Sequence, residues 1–482
     1  MLALTMSRSL LGVSMTLLRR FGDHMGRRRL ATSLAALALA TLTVQIGAVA
    51  PAAAATGDSA YAMAYFTESP QGLANDDNVH FAVSDDALEW TPLNDNEGIV
   101  DPTLGTGGIR DPFLYRLQNG QWLLVATDIC ETAPNNQIHV WTSPDLVNWS
   151  AERMLTVNNA SFSWAPSVYW DAGRNTYGIL YSTERTINGS TRLVNMVSYT
   201  NDFVTASAPT LFYDAGTQST IDTHLVANVD GWNYLYIKEY GTGKLAGLRS
   251  RTLDPGSFVK YTDGVGLNCT EAPTLVKSLT SNSWYLWGDN FCPNARFYAW
   301  QGDIATGTWS QLSDRVYTAP VLGKHNTIVT VTAAEKSGLL NRWGGTNTNR
   351  LKSWNFPDRY VRHIGGQGRI DTIPLDPYQD SQWRVRPGLS DSAGVSFESV
   401  NFPGQFLRHT GFKVVLAPND GSAGFRADAT FYREQGLANA GWSSFRSVNF
   451  PDRYLRHSGF ELRIDPITDS VGRDDATFRV GY

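Results

Sequence analysis

The sequence predicts an all-β chain in two parts, a five-bladed β-propeller followed by a β-trefoil, and three observations lead there. Between Tyr61 and Thr332 the runs AMAYFTE, VHFAVSDD, QWLLVATD, TYGILYST, NYLYIKEY and SWYLWGDN read as strands, with no long helical period among them. Four strand-turn-strand units recur at a step near fifty residues. Towards the C-terminus one eleven-residue phrase is written three times: SWNFPDRYVRH from Ser353, SVNFPGQFLRH from Ser399 and SVNFPDRYLRH from Ser447.

The first element is not expected to belong to the fold. Arg27, Arg28 and Arg29 precede an apolar stretch from Leu30 to about Ala50, which ends in small residues, PAAAATGDSA. A basic start, an apolar run and an A-x-A site predict a secretory leader over 1–55, cut near Ala55, and the arginines hint at twin-arginine export. Thr32, Ser33, Thr41, Thr43 and Gln45 dilute the run too much for a membrane anchor. A secreted, extracellular protein follows as the expectation.

At 482 residues the chain is long enough for two or three domains, and 42% hydrophobic residues supply their cores. A net charge of -5 offers no basic patch for nucleic acid or an anionic membrane. Fifteen Trp and 20 Tyr supply flat apolar faces suited to sugar rings as well as to cores. The cysteines are Cys130, Cys269 and Cys292. In an oxidising compartment that odd count allows one internal bridge and one free thiol, or three free thiols. The count is too small for a zinc cluster.

The propeller, residues 56–336, is justified blade by blade. DPFLYRLQNGQWLLVATD starts at Asp111, APSVYWDAGRNTYGILYST at Ala165, DTHLVANVDGWNYLYIKEY at Asp222 and APTLVKSLTSNSWYLWGDN at Ala272. The second positions, Pro112, Pro166, Thr223 and Pro273, are 54, 57 and 50 residues apart. An all-β unit of this length cannot bury both faces alone, which predicts blades stacked in a ring. HNTIVTVT from His325 predicts the inner strand of a fifth blade whose outer strands are AMAYFTE and VHFAVSDD. That closure leaves no open edge. The turns SDDALEW from Ser84 and SPDLVNW from Ser143 share Ser-x-Asp-x-x-x-Trp. Residues 337–349, SGLLNRWGGTNTN, read as a Gly/Asn-rich linker.

The final part, 350–482, follows from the three copies. Asn355, Asn401 and Asn449 are 46 and 48 residues apart, and each copy is followed by an Asp-x-x-aromatic element at Asp380, Asp428 or Asp475. The intervals from His363, His409 and His457 to those aspartates are 17, 19 and 18. Three β-rich repeats of this size fit a threefold trefoil.

Inner-strand starts converge on one mouth of a propeller channel. Three of these starts carry an acid: Asp111 in IRDPF, Asp222 in TIDTH and Glu271 in TEAPT. Three carboxyls in one pocket cannot all ionise at ordinary pKa values. Such a set suits glycoside hydrolysis, in which one carboxyl donates a proton while another activates water. Asp-Pro and Glu-Ala-Pro also serve as plain turn punctuation, but equivalent placement in three blades favours chemistry.

These stretches, IRDPFLYR, WAPSVYWD, IDTHLVANVDGWNYLYIKE and EAPTLVK, resemble the furanosidases and xylosidases of glycoside hydrolase family 43. The resemblance implies net inversion, with Asp111 as general base, Asp222 as the residue that tunes pKa and orientation, and Glu271 as general acid. An inverting pair implies carboxyls roughly 6.5–9.5 Å apart. Asp101, in Asp101-Pro102, is a rival base. Ser167 and Ala272 depart from the family's usual acidic residue and Gly at those positions, which puts substrate contacts in doubt. Asp128 and Trp164 lie at the same mouth as candidate sugar contacts. His325 stands where family members keep a His near a central ion or water, which makes a structural Ca2+ in the channel the one ion to consider; no cofactor is required for the chemistry. On this topology all three cysteines face the mouth. Cys269 and Cys292 flank one hairpin and are the preferred disulfide.

Residues from about Gly345 to Tyr482 resemble the arabinofuranosidase B-type carbohydrate-binding module, family 42. That likeness implies arabinofuranosyl-binding pockets at His363/Asp380, His409/Asp428 and His457/Asp475. The first copy departs most, with Trp383 in place of Phe. Together the two resemblances predict an exo-acting α-L-arabinofuranosidase, a monomer working on arabinose-containing cell-wall polysaccharide. A β-D-galactofuranosidase acting on a galactofuranosyl glycan is the nearest alternative, ahead of β-xylosidase and endo-arabinanase. From another class, a non-catalytic two-module lectin would also fit.

Overall fold

The computed structural model describes residues 57–70, 72, 76–129, 135–159, 162–292, 295–345 and 348–481. The expected leader and Cys130 lie outside the described residues.

Five four-stranded antiparallel sheets form the propeller. Four run in sequence, inner strand first: Ile109–Arg116 to Arg153–Thr156, Trp164–Asp171 to Thr210–Tyr213, Thr220–Val229 to Val259–Val265, and Thr270–Lys277 to Thr308–Gln311. The fifth is split, with its inner strand Gly323–Thr332 laid antiparallel on Asp58–Thr67. The chain thereby closes its own ring, as the spacing predicts. Each second strand lies between neighbouring sheets, so Trp122–Asp128 and Trp284–Asn290 are buried at every residue. Burial on both faces explains why these strands read as continuous apolar runs. Five apolar clusters fill the seams, one between each pair of neighbouring blades.

The Ser-x-Asp turn is a local hydrogen-bond device. Ser143 Oγ accepts from Asp145 N–H at 3.2 Å, and Asp145 Oδ1 accepts from Val147 and Asn148 N–H at 3.0 and 2.7 Å. The second blade repeats it with Thr200 and Asp202, where Phe203 and Thr205 N–H are taken up in the same way. A threonine and a missing tryptophan hide that copy from the sequence pattern.

Where a linker over 337–349 is expected, residues up to Trp343 are helical. Helix Ala333–Trp343 starts at a capping box, with Thr332 Oγ1 accepting from Glu335 N–H and Glu335 reaching back to Thr332 N–H. Glu335 also holds Arg116 at 2.9 Å and Trp122 Nε1–H at 2.8 Å, which fastens the helix to the first blade.

The C-terminal domain is a twelve-stranded sheet closed into a barrel. Thr348–Ser353, Trp383–Pro387, Val395–Ser399, Phe431–Gln435, Ser443–Ser447 and Phe478–Gly481 pair around a ring. Three hairpins, beginning at Arg359, Gln405 and Arg453, cap it, and their second strands pair with one another. The first repeat docks on the propeller. Tyr360, Leu375 and Tyr378 pack with Val321 and Leu322, and Tyr378 Oη–H donates to Glu97 at 2.7 Å. The other two repeats have short helices in the corresponding place, Ala423–Asp428 and Ser470–Asp475.

Cys269 and Cys292 are bonded, with Cα atoms 5.6 Å apart. Closing a 23-residue separation constrains the unfolded chain by about 3 kcal/mol. Replacing both cysteines by serine is expected to lower propeller stability by about that amount in urea unfolding.

Candidate active site

One backbone feature builds the mouth. Every inner strand carries a bulge with one left-handed residue: Asp111 at φ 52°, Ala165 at 48°, Asp222 at 56°, Ala272 at 54° and His325 at 40°. None is glycine, so each turn is strained and must be held by its surroundings. Ala272 N–H donates to Asp222 Oδ2 at 3.1 Å, His325 N–H to Asp289 Oδ2 at 2.6 Å, and Ala165 N–H to Thr127 Oγ1 at 2.8 Å. Each bond crosses from one blade to the next. Asp111 and Asp222 thus stand at equivalent positions. Glu271 stands one residue earlier, because Ala272 takes the left-handed place in its blade.

Asp111 is held from two sides: Thr127 Oγ1–H donates to its Oδ2 at 2.8 Å, and His325 Nδ1 lies 2.9 Å from its Oδ1. Burial opposes the Asp111 charge, but His325 and Thr127 outweigh it and hold the carboxyl below the usual range. Burial works against the His325 charge too, yet Asp111, aided by Asp222 and Asp289, pushes the imidazole up to about 9. The pair is an aspartate and an imidazolium. For Asp222, burial and the charges of Glu271 and Asp111 raise the carboxyl against the pull of His325 and Lys238.

Glu271 sits between two ammonium groups. Lys238 Nζ donates to Oε2 at 2.6 Å and Lys324 Nζ to Oε1 at 2.5 Å. Burial raises this carboxyl, but Lys324 and Lys238 outweigh it and leave it below the usual range. Lys324 is shared with Asp289 Oδ1 at 2.7 Å, and burial still pushes Asp289 up to about 7.

Residues 58–337 match the family model described as "Probable glycosyl hydrolase domain", related to glycoside hydrolase family 43. The chain belongs to that family. Residues 349–480 match a second family model, the alpha-L-arabinofuranosidase B domain. An alpha-L-arabinofuranosidase B from Penicillium canescens is 31% identical over 206 residues, 40% of this chain and 41% of its own. The Aspergillus oryzae alpha-L-arabinofuranosidase B is 32% identical over 148 residues, 30% of this chain and 28% of its own. An alpha-L-arabinofuranosidase from Bifidobacterium longum is 28% identical over 184 residues, 32% of this chain and 17% of its own. The chain therefore spans less than half the length of these relatives. A solved exo-beta-1,3-galactanase from Clostridium thermocellum aligns over 79% of this chain and 98% of its own at a TM-score of 0.37 and 12% identity, a score too low to carry an argument.

The other residues expected at the mouth divide into two kinds. Trp164 is 38% exposed and stacks on Phe162 at 4.2 Å, so it is a surface ring and not core. Asp128 is committed within the fold: its Oδ1 accepts Thr106 N–H at 2.9 Å and lies 3.2 Å from His139 Nε2. His139 in turn meets Glu152, which accepts Thr103 and Leu104 N–H, so the loop before Asp111 is clamped by an acid-imidazole-acid bridge. Asp101, the rival base, accepts from Asn78 at 2.8 Å. A channel calcium finds no fitting donor set. The imidazole of His325 is taken by Asp111 and cationic, and no cluster of three metal-binding side chains occurs among the described residues. Lys238, Lys324 and Asp289 are the site residues that sequence reasoning missed. Their one signal was a charge inside an apolar strand run, in NYLYIKEY, GKHNTIVTVT and SWYLWGDN.

In the C-terminal domain each His–Asp cluster is made from two copies of the phrase. His363 Nε2 meets Ser399 Oγ and Asn401 Oδ1, both at 3.2 Å; His409 meets Asn449 at 2.9 Å; His457 meets Asn355 at 3.0 Å. The same asparagines donate to Asp380, Asp428 and Asp475 at 2.7, 2.8 and 2.6 Å. Arg362, Arg408 and Arg456 bind the other oxygen of those aspartates. Burial lowers all three histidines, His457 to about 4, so they are neutral at physiological pH.

Because the His325 pKa in the fold lies above its ordinary 6.5, the pairing stabilises fully below 6.5 and is lost as pH rises through about 9. An NMR titration of His325 is expected to show a midpoint near 9 that drops in Asp111→Asn.

Proposed function

We propose that this protein is an exported, inverting exo-α-L-arabinofuranosidase that removes arabinofuranosyl groups from arabinoxylan or arabinan. One observation carries the reading: Asp111, Asp222 and Glu271 come from three blades to one mouth in a chain that also bears an arabinofuranosidase B-type domain. Asp111 is held ionised by His325 and Thr127, the state a general base needs to activate water. Glu271 is the general acid. In the resting site its proton is kept off by Lys238 and Lys324, while burial pulls the other way. A sugar closing the mouth adds to burial and so favours protonation of Glu271. Asp222, raised and hydrogen-bonded to the Ala272 peptide, supplies the opposing charge or neutrality that sets the balance between the other two acids.

For the C-terminal domain the proposed architecture is a β-trefoil. It is supported by the six-strand ring, the three capping hairpins and the threefold repetition of the pocket contacts. Its pockets are proposed to hold arabinofuranosyl side chains through the repeat His and Asp. The second is the most open, with Asp428 less buried than Asp380 or Asp475.

Wild-type protein is expected to hydrolyse p-nitrophenyl α-L-arabinofuranoside, with kcat reduced about 10³-fold in Asp111→Ala and in Glu271→Ala. Equal negligible turnover by all three would mean a lectin, and preference for the β-D-galactofuranoside in a side-by-side assay would transfer the activity to that sugar. His409→Ala and His457→Ala are expected to shorten retention on arabinoxylan columns while turnover of the small substrate persists; unchanged retention would make those histidines scaffold.

A further inference from the structure

Two aromatic side chains stand exposed beside Glu271. Tyr240, just after the second strand of the third blade, is 57% exposed; Phe291, just after that of the fourth, is 43% exposed. They occupy one register position on neighbouring blades, because Glu239 pairs with Thr220 and Asn290 with Thr270, each two residues before the left-handed turn. A single cation gathers both rings. Lys238 Nζ lies 3.9 Å from the Phe291 centroid and 5.2 Å from that of Tyr240, and it donates to Glu271 Oε2 at 2.6 Å. Phe291 is further fastened to the strand of Glu271: its N–H donates to Cys269 O at 3.0 Å, and its neighbour Cys292 is bonded to Cys269.

Resting on the glycosidase reading, we infer that Phe291 and Tyr240 form the stacking platform for the backbone sugar ring on the leaving-group side of the scissile bond. The glycosidic oxygen must lie against Glu271 to take its proton, and the ring that leaves with it lies on the Glu271 side, opposite the water activated by Asp111. The C–H face of a sugar ring packs flat on an aromatic face, which neither core residue nor ion pair at this mouth offers. Lys238 holds the two rings by cation–π contact and Glu271 by a charged hydrogen bond, so platform and acid keep one fixed relation. The shared chemistry is a ring of a xylan or arabinan backbone.

The test compares two substrates in the double variant Phe291→Ala, Tyr240→Ala. Its kcat/KM is expected to fall about tenfold on an arabinofuranosylated xylo-oligosaccharide or on arabinotriose, whichever wild type prefers. Hydrolysis of α-L-arabinofuranosyl fluoride, whose leaving group has no ring, stays at the wild-type rate. Phe291→Trp retains activity on both. Equal losses on both substrates, or no loss on either, overturn the platform. If wild type hydrolyses neither, the glycosidase reading fails and the platform is judged by calorimetry alone. Xylotriose and arabinotriose are then titrated into protein whose three C-terminal His–Asp sites are silenced by His363→Ala, His409→Ala and His457→Ala. Binding of either that weakens about tenfold in the double variant supports the platform; absent or unchanged binding of both overturns it.

Discussion

Everything at the propeller mouth depends on a left-handed turn imposed on a non-glycine residue at the start of all five inner strands. Such a conformation costs on the order of 1–3 kcal/mol per residue and persists only where neighbours over-determine it. The neighbours here are side chains of the preceding blade, which accept the peptide N–H of Ala165, Ala272 and His325. Two of the acceptors, Asp222 and Asp289, are themselves members of the charged site. The backbone that aims the acids and the acids that hold the backbone are therefore one network, and the chemistry is rigid because the fold is strained.

The same network solves a charge problem. Asp111, Asp222, Glu271 and Asp289 converge on Lys238, Lys324 and His325, so acids and cations alternate. Buried charges persist only when paired and hydrogen-bonded. The alternation keeps Asp111 and Glu271 ionised at rest, while Asp222 and Asp289, crowded by the others, are raised. Proton affinity at one acid is thus a property of the set, and no one carboxyl can be altered without shifting its neighbours.

Much of the fold was legible because its constraints are written locally. Strands sandwiched between blades show as apolar runs, and the split fifth blade shows as HNTIVTVT returning after the fourth unit. The helix at Ala333–Trp343 was hidden because its start signal, Thr332 with Glu335, lies upstream of the Gly- and Asn-rich stretch that reads as a linker. The acids were found, and the unit start at Ala272 already sets Glu271 one residue earlier; the left-handed bulge, which is the reason for that offset, is not written in the spacing. Lys238 and Lys324 escaped because they reach Glu271 across 33 and 53 residues, from separate blades. In the C-terminal domain the His and Asp were visible in step. Their Asn and Ser partners were not, since they belong to the following copy, 36 to 40 residues away.

That hand-off from copy to copy has a consequence for how such a module can be built or lost. His363 leans on the second copy, His409 on the third, and His457 reaches back across 102 residues to the first. Each copy is half of two His–Asp clusters and the whole of none. Deleting one would remove a lobe and also orphan the half-sites on either side of the gap, leaving the ring unable to close. Three is therefore a closure number, fixed by geometry in the way that subunit count is fixed in a cyclic oligomer.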